Sequence, residues 1–362
     1  MQSFVWKAKG LKINIKSPRF VTSVPETRHR FAGGKPYKTL IWQIERNGYK
    51  MKKGLLVHTE ELTKKWIDRM CDAGVEILGI HPRGGIEAHK TLAELVDRLD
   101  NDAEFRALLD YAAERGLEIE YELHAASYLL PRLLFDTHPE YFRMNENGER
   151  VREVNFCFSN EEAVDYAANS ALLLADKLYR SAPRYYFWLD DGKDIGCRCE
   201  KCRGMSVSDC QMKVMNRIVR KLREKNKDAQ VAYLAYYETV PKPTLFKPEE
   251  GIFVEYAPLE RDIHKPVRES DELKREISEL ISFFGSGGAK ALEYWYDNSL
   301  FSGWKKPPKK FVPDGNVIKD DLDFYFSLGF DYASSFACFL GEDYEELYGE
   351  PDISDFSYKP ER

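Results

Sequence analysis

The chain has 362 residues, of which 43% are hydrophobic, so it can bury a large core and is long enough for two average domains or one large barrel. Its 54 Lys and Arg against 60 Asp and Glu give a formal charge of −6 without a dense basic stripe, which argues against a nucleic-acid partner. No stretch approaches the roughly 18 apolar residues of a membrane helix, and the opening MQSFVWKAKG lacks the apolar run of a signal peptide, so we expect no membrane partner and a cytoplasmic location.

Short β-rich apolar runs alternate with segments of helical periodicity along most of the chain. Eight runs predict strands: Thr39–Ile44, Val75–His81, Leu117–His124, Tyr185–Asp190, Val231–Tyr237, Ile252–Ala257, Ala291–Trp295 and Tyr332–Ala337. Because parallel strands need long crossovers, this alternation predicts an α/β fold, a (β/α)8 TIM barrel. An open doubly wound sheet is the alternative, but no Gly-x-Gly-x-x-Gly turn follows the first strand to hold a dinucleotide.

The expected organisation has three parts. Residues 1–36 predict a short N-terminal β-rich appendage that ends near the turn-rich FAGGKP, residues 37–345 the barrel, and residues 346–362 a C-terminal tail. One crossover is irregular, because the prolines of TVPKPTLFKPEEG, between the fifth and sixth strands, oppose a helix. Elsewhere helix ends are clear: Ser270 precedes an apolar stripe of helical spacing and Gly285 follows it.

The active site of a TIM barrel lies at the carboxyl ends of its strands, and five predicted strands end there in polar or aromatic side chains. Carboxylates and imidazoles bind sugar hydroxyl groups, and aromatic rings pack against the apolar faces of sugars. Tyr236, Tyr237, Trp295 and Trp304 are therefore candidate sugar platforms. The full set of candidate substrate-binding residues is His81, Arg83, His124, Tyr236, Tyr237, Glu238, Trp295, Asp297 and Asn298.

The fourth predicted strand, in YYFWLDDG, leads directly into Asp190 and Asp191. Like charges and partial burial should raise the pKa of at least one carboxyl group, which could then protonate a leaving glycosidic oxygen. Because neighbouring strand residues point to opposite sides, this pair suits substrate assistance, in which a 2-acetamido oxygen of the sugar attacks the anomeric carbon. Asp190 would then orient the acetamido group and Asp191 would protonate the leaving group. A turn that ligates Ca²⁺ or Mg²⁺ is the structural alternative.

The aspartate pair, the tyrosines that end strand five and EYWYDN at the end of strand seven resemble the rim pattern of the O-GlcNAcase and β-hexosaminidase barrels. This resemblance implies that the paired acids act as described and that Trp295, Asp297 and Asn298 hold the sugar. Across most of the barrel, LHAASYLLPRLLFDTHPEYFRMNENGER, FCFSN and DDG followed by CRCEKC resemble a bacterial glycosidase-like barrel family known as a domain of unknown function. That second resemblance implies the fold more strongly than the reaction.

The seven cysteines indicate reduced thiols or a metal site rather than a disulfide framework. Cys197, Cys199 and Cys202 form a Cys-x-Cys-x-x-Cys motif directly after the aspartates, and Cys157 and Cys210 are rival fourth ligands. Four thiolates would bind Zn²⁺ tetrahedrally, which predicts a structural zinc that fixes the loop beside the site, with no organic cofactor. Free reduced thiols are the alternative.

These patterns predict a glycoside hydrolase that acts on a small or terminal sugar, with N-acetylhexosaminides as one candidate class, and Asp190 and Asp191 as catalytic residues. An inverting or uronic-acid-directed glycosidase is the first alternative, with Asp191 or Glu238 as the acid and Arg83 on a substrate carboxylate. A carbohydrate-binding barrel without turnover is the second alternative.

Overall fold

The computed structural model describes residues 50–360 of the chain. Within this range eight parallel strands form a closed barrel in which every strand pairs with its neighbour in the chain and the last pairs with the first. The strands are β1 (Lys52–His58), β2 (Ile77–His81), β3 (Glu118–His124), β4 (Arg184–Trp188), β5 (Gln230–Ala235), β6 (Ile252–Tyr256), β7 (Lys290–Glu293) and β8 (Tyr332–Phe336). The predicted (β/α)8 barrel is confirmed.

Seven of the predicted strands correspond to β2 through β8. The first predicted strand, Thr39–Ile44, and the predicted appendage over residues 1–36 lie outside the described residues. The first barrel strand is Lys52–His58, which the sequence pattern missed because only Leu55, Leu56 and Val57 form its apolar run. Lys53 in this strand is buried, and its Nζ donates hydrogen bonds to the carbonyl oxygens of Phe356 and Tyr358.

Helices fill most connections between the strands. They are α1 (Lys64–Asp72), α2 (Ala88–Asn101), α3 (Ala103–Glu114), α4 (Ala126–Leu129), α5 (Glu161–Ala175), α6 (Glu200–Arg203), α7 (Val207–Lys225), α8 (Asp271–Phe284), α9 (Asn298–Phe301), α10 (Gly315–Leu328) and α11 (Glu342–Tyr348). Between β5 and β6 the chain makes a single 3₁₀ turn, Tyr237–Thr239, as expected from the prolines of this connection. Within residues 50–360, no helix combines the length and the apolar character needed to cross a bilayer.

The ends of α8 follow the sequence signals. The Oγ atom of Ser270 accepts a hydrogen bond from the backbone N–H of Leu273 at 3.3 Å, which satisfies a free amide at the helix start. Gly285 ends the helix with φ at 84°, a conformation that side chains disfavour. Ile277 and Leu280 of the predicted stripe are buried against the barrel.

The barrel separates two apolar regions. Side chains such as Leu55 and Val57 point outward and pack under the helices, whereas Leu56 points inward beside Trp188. The interior is narrow: a Cβ atom on Gly54 would lie 2.5 Å from the Oγ atom of Ser334 on the paired strand β8. Glycine at this position therefore allows β1 and β8 to close the barrel.

Charged side chains occupy the deeper interior of the barrel. Nζ of Lys290 lies 2.9 Å from a carboxylate oxygen of Glu120, 2.5 Å from one of Glu122 and 3.5 Å from one of Glu255, and all four side chains are fully buried. We call these four side chains the ionic layer. Glu255 also accepts a hydrogen bond from Nε1 of Trp188 at 2.8 Å, so the ionic layer supports the tryptophan above it.

Candidate active site

A cavity of about 540 Å³ opens at the carboxyl ends of the strands, where a TIM barrel carries its active site. Its floor is formed by apolar side chains on the inward faces of the strands: Trp188, Leu234, Leu292 and Phe336. Its walls carry the polar side chains of His58, His81, Arg83, His124, Asp191, Lys193, Tyr236, Tyr294, Asp297 and Ser299. An apolar floor with a few polar wall groups is the usual composition of a small-molecule site.

Asp191 lies in this cavity, just after β4. Its Oδ1 atom accepts a hydrogen bond from the phenol of Tyr236 at 3.1 Å. Burial raises the pKa of Tyr236 well above its usual value, and the nearby carboxylate of Asp191 raises it further, so the phenol remains a donor. The Oδ2 atom of Asp191 and the ring of His124 both lie close to Gly84, since a Cβ atom on Gly84 would be 3.6 Å from Oδ2 and 3.0 Å from Cδ2 of His124.

Asp190 has a different environment and does not line this cavity. Its Oδ1 atom accepts hydrogen bonds from Ser127, through the backbone N–H at 3.1 Å and the hydroxyl at 3.0 Å, and Oδ2 accepts one from the backbone N–H of Asn155. The backbone N–H of Asp190 donates in turn to Oδ1 of Asn155 at 2.9 Å. Both carboxylate oxygens are thus engaged in holding two loops to the end of β4, a different placement from the predicted pair that faces substrate.

Asp297, after β7, supplies the second carboxyl group of the cavity. Its Oδ1 atom accepts from the backbone N–H of Ser299 at 3.0 Å, from the Ser299 hydroxyl at 2.5 Å and from the backbone N–H of Leu300 at 3.3 Å. Burial raises the pKa of Asp297, and these hydrogen bonds only partly oppose the rise. Tyr294 lines the same cavity as both carboxyl groups. Burial raises its pKa well above the usual value, and the charges of Asp297 and Asp191 raise it further.

His81 and His124 line the cavity together with His58, which the sequence analysis missed because β1 was missed. A signal was present: β1, β2 and β3 all end in histidine, in LLVH, LGIH and YELH. Tyr294 was also missed, because the sequence pattern favoured its neighbour Trp295 as the sugar-binding aromatic residue. Strand alternation places Lys290, Leu292 and Tyr294 on the inward side and leaves Trp295 outside.

Comparison with known proteins identifies the family of this chain. Residues 96–339, two-thirds of the sequence, match the family model described as Domain of unknown function (DUF4838). The chain belongs to this family. The resemblance to a barrel family known as a domain of unknown function is therefore confirmed, whereas the likeness to O-GlcNAcase barrels stays a prediction. No curated protein matches this DUF4838 chain.

Several solved structures are similar to the DUF4838 chain. A β-galactosidase from the psychrophilic Marinomonas ef1 has a TM-score of 0.46 and 12% identity over 79% of this chain and 54% of its own, so this chain spans about half its length. A glycoside hydrolase family 5 enzyme from Prevotella bryantii B14, in complex with a xyloglucan tetradecasaccharide, has a TM-score of 0.46 and 9% identity over 82% of this chain and 85% of its own. The GH20 modules of a pneumococcal exo-β-D-N-acetylglucosaminidase have a TM-score of 0.45 and 10% identity over 85% of this chain and 82% of their own.

Some of the remaining predicted site residues of the DUF4838 protein line the cavity, and others lie outside it. Arg83 and Tyr237 line the cavity, Arg83 in an ion pair with Glu60 and Tyr237 in a left-handed backbone conformation with φ at 47°. Trp304 lies at the rim and is 66% exposed. Glu238 lines a small neighbouring pocket instead, where its Oε2 atom accepts a hydrogen bond from the backbone N–H of Asp194 at 3.1 Å.

Trp295 and Asn298 do not line the cavity. Trp295 is buried, and its Nε1 atom donates to Oδ2 of Asp321 at 2.9 Å. Asn298 is also buried, and its Nδ2 atom donates to the carbonyl oxygens of Lys309 and Phe339, each at 3.0 Å. Of the three sugar-holding residues that the resemblance implied, the structure brings only Asp297 into the cavity.

Four buried cysteines gather beside the loop that follows Asp191. The Sγ atoms of Cys157, Cys197, Cys199 and Cys202 all lie within 4.8 Å of one another, and Cys210 is not in this group. The Sγ atom of Cys157 lies 3.7 Å from that of Cys199 and 4.0 Å from that of Cys202, close to the roughly 3.8 Å between sulfurs that tetrahedral Zn–S bonds of about 2.3 Å require. The donor set fits a zinc ion, and the grouping favours Cys157 as the fourth ligand.

Proposed function

We propose that the DUF4838 protein is a glycoside hydrolase in which Asp191 and Asp297 form the catalytic carboxyl pair. One observation carries this proposal: two carboxyl groups, one after β4 and one after β7, lie in one cavity of about 540 Å³ whose apolar floor includes the aromatic rings of Trp188 and Phe336. Glycoside cleavage needs one carboxyl group to protonate the leaving oxygen and another to act as base or nucleophile. A sugar ring can pack on the aromatic floor while its hydroxyl groups meet the polar walls.

The environments of the two carboxyl groups suggest their roles. Burial raises the pKa of Asp297, which favours the protonated form that a general acid needs. Asp191 is anchored through Oδ1 by the phenol of Tyr236. This leaves its Oδ2 atom for a water molecule or the anomeric carbon of the substrate.

Several narrower expectations remain predictions. Substrate assistance by paired aspartates lacks support in the cavity, because Asp190 is engaged by Ser127 and Asn155. A uronic-acid substrate would have to compete with Glu60 for the side chain of Arg83. The cytoplasmic location stays a prediction, and reduced thiols in the cysteine group would suit it.

A panel of 4-nitrophenyl glycosides tests the proposal, with α- and β-glucosides, galactosides, N-acetylglucosaminides and glucuronides incubated with the purified chain. Release of nitrophenol from at least one member supports a hydrolase. Release from the N-acetylglucosaminide alone would revive substrate assistance. Saccharide binding in calorimetry without release from any member would contradict the proposal and favour the non-catalytic barrel.

The pH profile provides a second prediction. If Asp297 is the general acid, kcat/KM should fall as pH rises through its pKa, because only the protonated carboxyl group can donate. The Ser299 hydroxyl donates to Asp297 and so lowers that pKa. Removal of the hydroxyl in Ser299→Ala should therefore move the alkaline limb of the profile to higher pH.

The matched control for this experiment is Ser302→Ala, directly after the same short helix. The Ser302 hydroxyl donates to Oδ1 of Asn298 at 3.1 Å rather than to Asp297, so this variant should keep the wild-type limb. A limb that stays fixed or moves to lower pH in Ser299→Ala would remove Asp297 from the role of acid.

We further propose that Cys157, Cys197, Cys199 and Cys202 hold a structural zinc ion. The backbone N–H of Met144 donates to Sγ of Cys197 at 3.3 Å, and an Arg150 nitrogen lies 3.8 Å from the same sulfur. Such donors stabilise the negative charge of a metal-bound thiolate. The ion would link the segment around Cys157 to the loop after Asp191.

The zinc proposal predicts one zinc ion per chain in elemental analysis. Cys199→Ser should lose most of it and lower Tm, because structural zinc contributes its binding free energy, about 10 kcal/mol or more in small zinc peptides, to the folded state. Cys71→Ser is the matched control, since Cys71 lies outside the cysteine group. Wild-type protein purified without zinc and unaffected by added zinc or chelator would contradict the proposal.

A further inference from the structure

Three histidines stand side by side at the carboxyl ends of the first three strands. His58, His81 and His124 end β1, β2 and β3, and all three line the cavity. Their ring centroids are 5.9 Å apart from His58 to His81 and 5.7 Å apart from His81 to His124. We call these three side chains the histidine row.

A backbone carbonyl group fixes each imidazole of the histidine row. Nδ1 of His58 lies 3.1 Å from the carbonyl oxygen of His81, and Nδ1 of His81 lies 2.8 Å from that of Glu122. Nδ1 of His124 lies 2.7 Å from the carbonyl oxygen of Leu189. A carbonyl oxygen can only accept, so Nδ1 carries a proton in all three rings, and Nε2 of such a ring is an acceptor whenever the ring is neutral.

The surroundings of the row disfavour positive charge. Burial lowers the pKa of His58, and burial together with the two neighbouring histidines lowers the pKa of His81 well below its usual value. At neutral pH these two rings offer lone pairs to a ligand. Trp188 packs against the row, with its ring centroid 5.7 Å from that of His81 and 5.1 Å from that of His124.

The two basic side chains at the cavity wall are already paired. Arg83 forms an ion pair with Glu60, and Nζ of Lys193 lies 2.5 Å from a carboxylate oxygen of Glu260. A carboxylate or phosphate on the ligand would meet the acceptor nitrogens of the row, and it would have to compete with Glu60 or Glu260 for a cation. A hydroxyl group, in contrast, can donate to Nε2.

The row differs from a preformed metal site. A metal site needs at least three ligand atoms close together. Among residues 50–360, the side chains that meet this condition, with ligand atoms within 4.8 Å of one another, are the four cysteines, and the histidine row is not among them. The histidine nitrogens are spread along the wall, which suits several hydroxyl donors on one ligand better than a single ion.

We propose that the histidine row is a subsite that recognises the hydroxyl groups of an uncharged saccharide and excludes uronic acids and sugar phosphates. This inference rests on the proposed function, because it assigns a substrate class to the same cavity. Each Nε2 atom accepts a hydrogen bond from a sugar hydroxyl, and Trp188 supports the ring from below. Loss of one acceptor leaves a hydroxyl of the bound sugar without its partner.

Two substitutions at His81 separate this role from a structural one. His81→Asn keeps an N–H near the position of Nδ1, which can still donate to the carbonyl oxygen of Glu122, but removes the acceptor at Nε2. His81→Gln reaches the position of Nε2 with a carboxamide oxygen. His138→Asn is the control outside the cavity, because the His138 side chain is half-exposed and lies against Glu140.

Binding is measured by calorimetry in the Asp191→Asn/Asp297→Asn background, so that it does not depend on turnover. The probes are 4-nitrophenyl glucoside, galactoside, N-acetylglucosaminide and glucuronide. We expect at least one neutral glycoside to bind, with affinity about tenfold weaker in His81→Asn and within about threefold of its parent in His81→Gln, as for the loss of one hydrogen bond. The glucuronide should bind more weakly than the matching glucoside, and His138→Asn should leave all affinities unchanged.

The outcomes distinguish this inference from the proposed function. Neutral glycosides that bind with this pattern but are never hydrolysed by the wild type would support the row and contradict the hydrolase. If the wild type hydrolyses a glycoside but His81→Asn and His81→Gln change the binding affinity equally, or not at all, the role of the histidine row is overturned and the hydrolase proposal stands. Tighter binding of the glucuronide, binding of no probe, or a second Zn²⁺ or Mn²⁺ site lost in His81→Asn would each overturn the inference.

Discussion

Replacing Asp191 or Asp297 with Asn should each lower kcat/KM by about 10²–10⁴-fold while the fold is retained, because a positioned acid or base contributes a factor of this order. The two carboxyl groups share one cavity, and an Asn side chain fills nearly the same volume without exchanging a proton. Steady-state kinetics on the glycoside that the panel selects, with circular dichroism to verify folding, provide the measurement.

Two further aspartates provide controls for this experiment. Asp194→Asn, on the exposed loop after β4 where Asp194 pairs with Arg198, should keep kcat/KM within about twofold, since surface ion pairs contribute little. Asp190→Asn turns an amide NH₂ toward N–H donors of either Ser127 or Asn155 and should cost about 1–3 kcal/mol of stability. Full activity in both cavity variants would remove Asp191 and Asp297 from catalysis.

The second large effect is expected on stability. Lys290→Met should lower the free energy of unfolding by about 3–5 kcal/mol, because it leaves buried carboxyl groups without their central cation. In the wild type, burial alone would raise the pKa of Glu120, but Lys290 and Arg184 outweigh it and hold that pKa below its usual value. Without Lys290, Glu120 keeps Arg184 as its cationic partner, and the pKa of Glu122, which burial already raises well above its usual value, should rise further.

The sign of the pH dependence follows from that rise. A carboxyl group with a raised folded-state pKa destabilises the fold as pH increases, so the deficit of Lys290→Met should shrink at acidic pH, where the carboxyl groups are protonated in both states. Urea unfolding of the wild type and of Lys290→Met at several pH values measures this deficit. Lys274→Met is the matched control, because Lys274 pairs with the exposed Asp271 at the surface and should change stability by less than about 1 kcal/mol. Equal effects of the two substitutions would contradict a structural role for the ionic layer.

The fold was largely readable from the sequence because alternation of β-rich runs and helical periods is a property of local segments. The failure at β1 has a physical cause: its apolar run is only Leu55, Leu56 and Val57, and its burial depends on closure against β8. Closure is a property of the whole barrel, which no window of sequence contains. Ser270 and Gly285, in contrast, act within a few residues of the helix ends they define.

The candidate site could be predicted only in part, because a position near a strand end does not specify the direction in which the side chain points. Asp191 and Asp297 line the cavity, whereas Asp190 and Trp295 do not. Each of these is one residue from a group that faces inward, and a shift of one position along an extended chain reverses the side chain. The partners that engage Asp190 are distant in sequence, so its structural role had no local signature.

The ionic layer has a consequence for the evolution and redesign of this barrel. Glu255 pairs with Lys290 and accepts a hydrogen bond from the indole of Trp188. One side chain therefore contributes both to the charge balance of the ionic layer and to the position of the tryptophan in the cavity floor. A single substitution in the ionic layer therefore leaves buried charges unpaired. We expect viable variants to change several of its residues together. Homologues that exchange the buried lysine for an apolar residue should also have replaced its acidic neighbours, and the width of their binding pockets should differ accordingly.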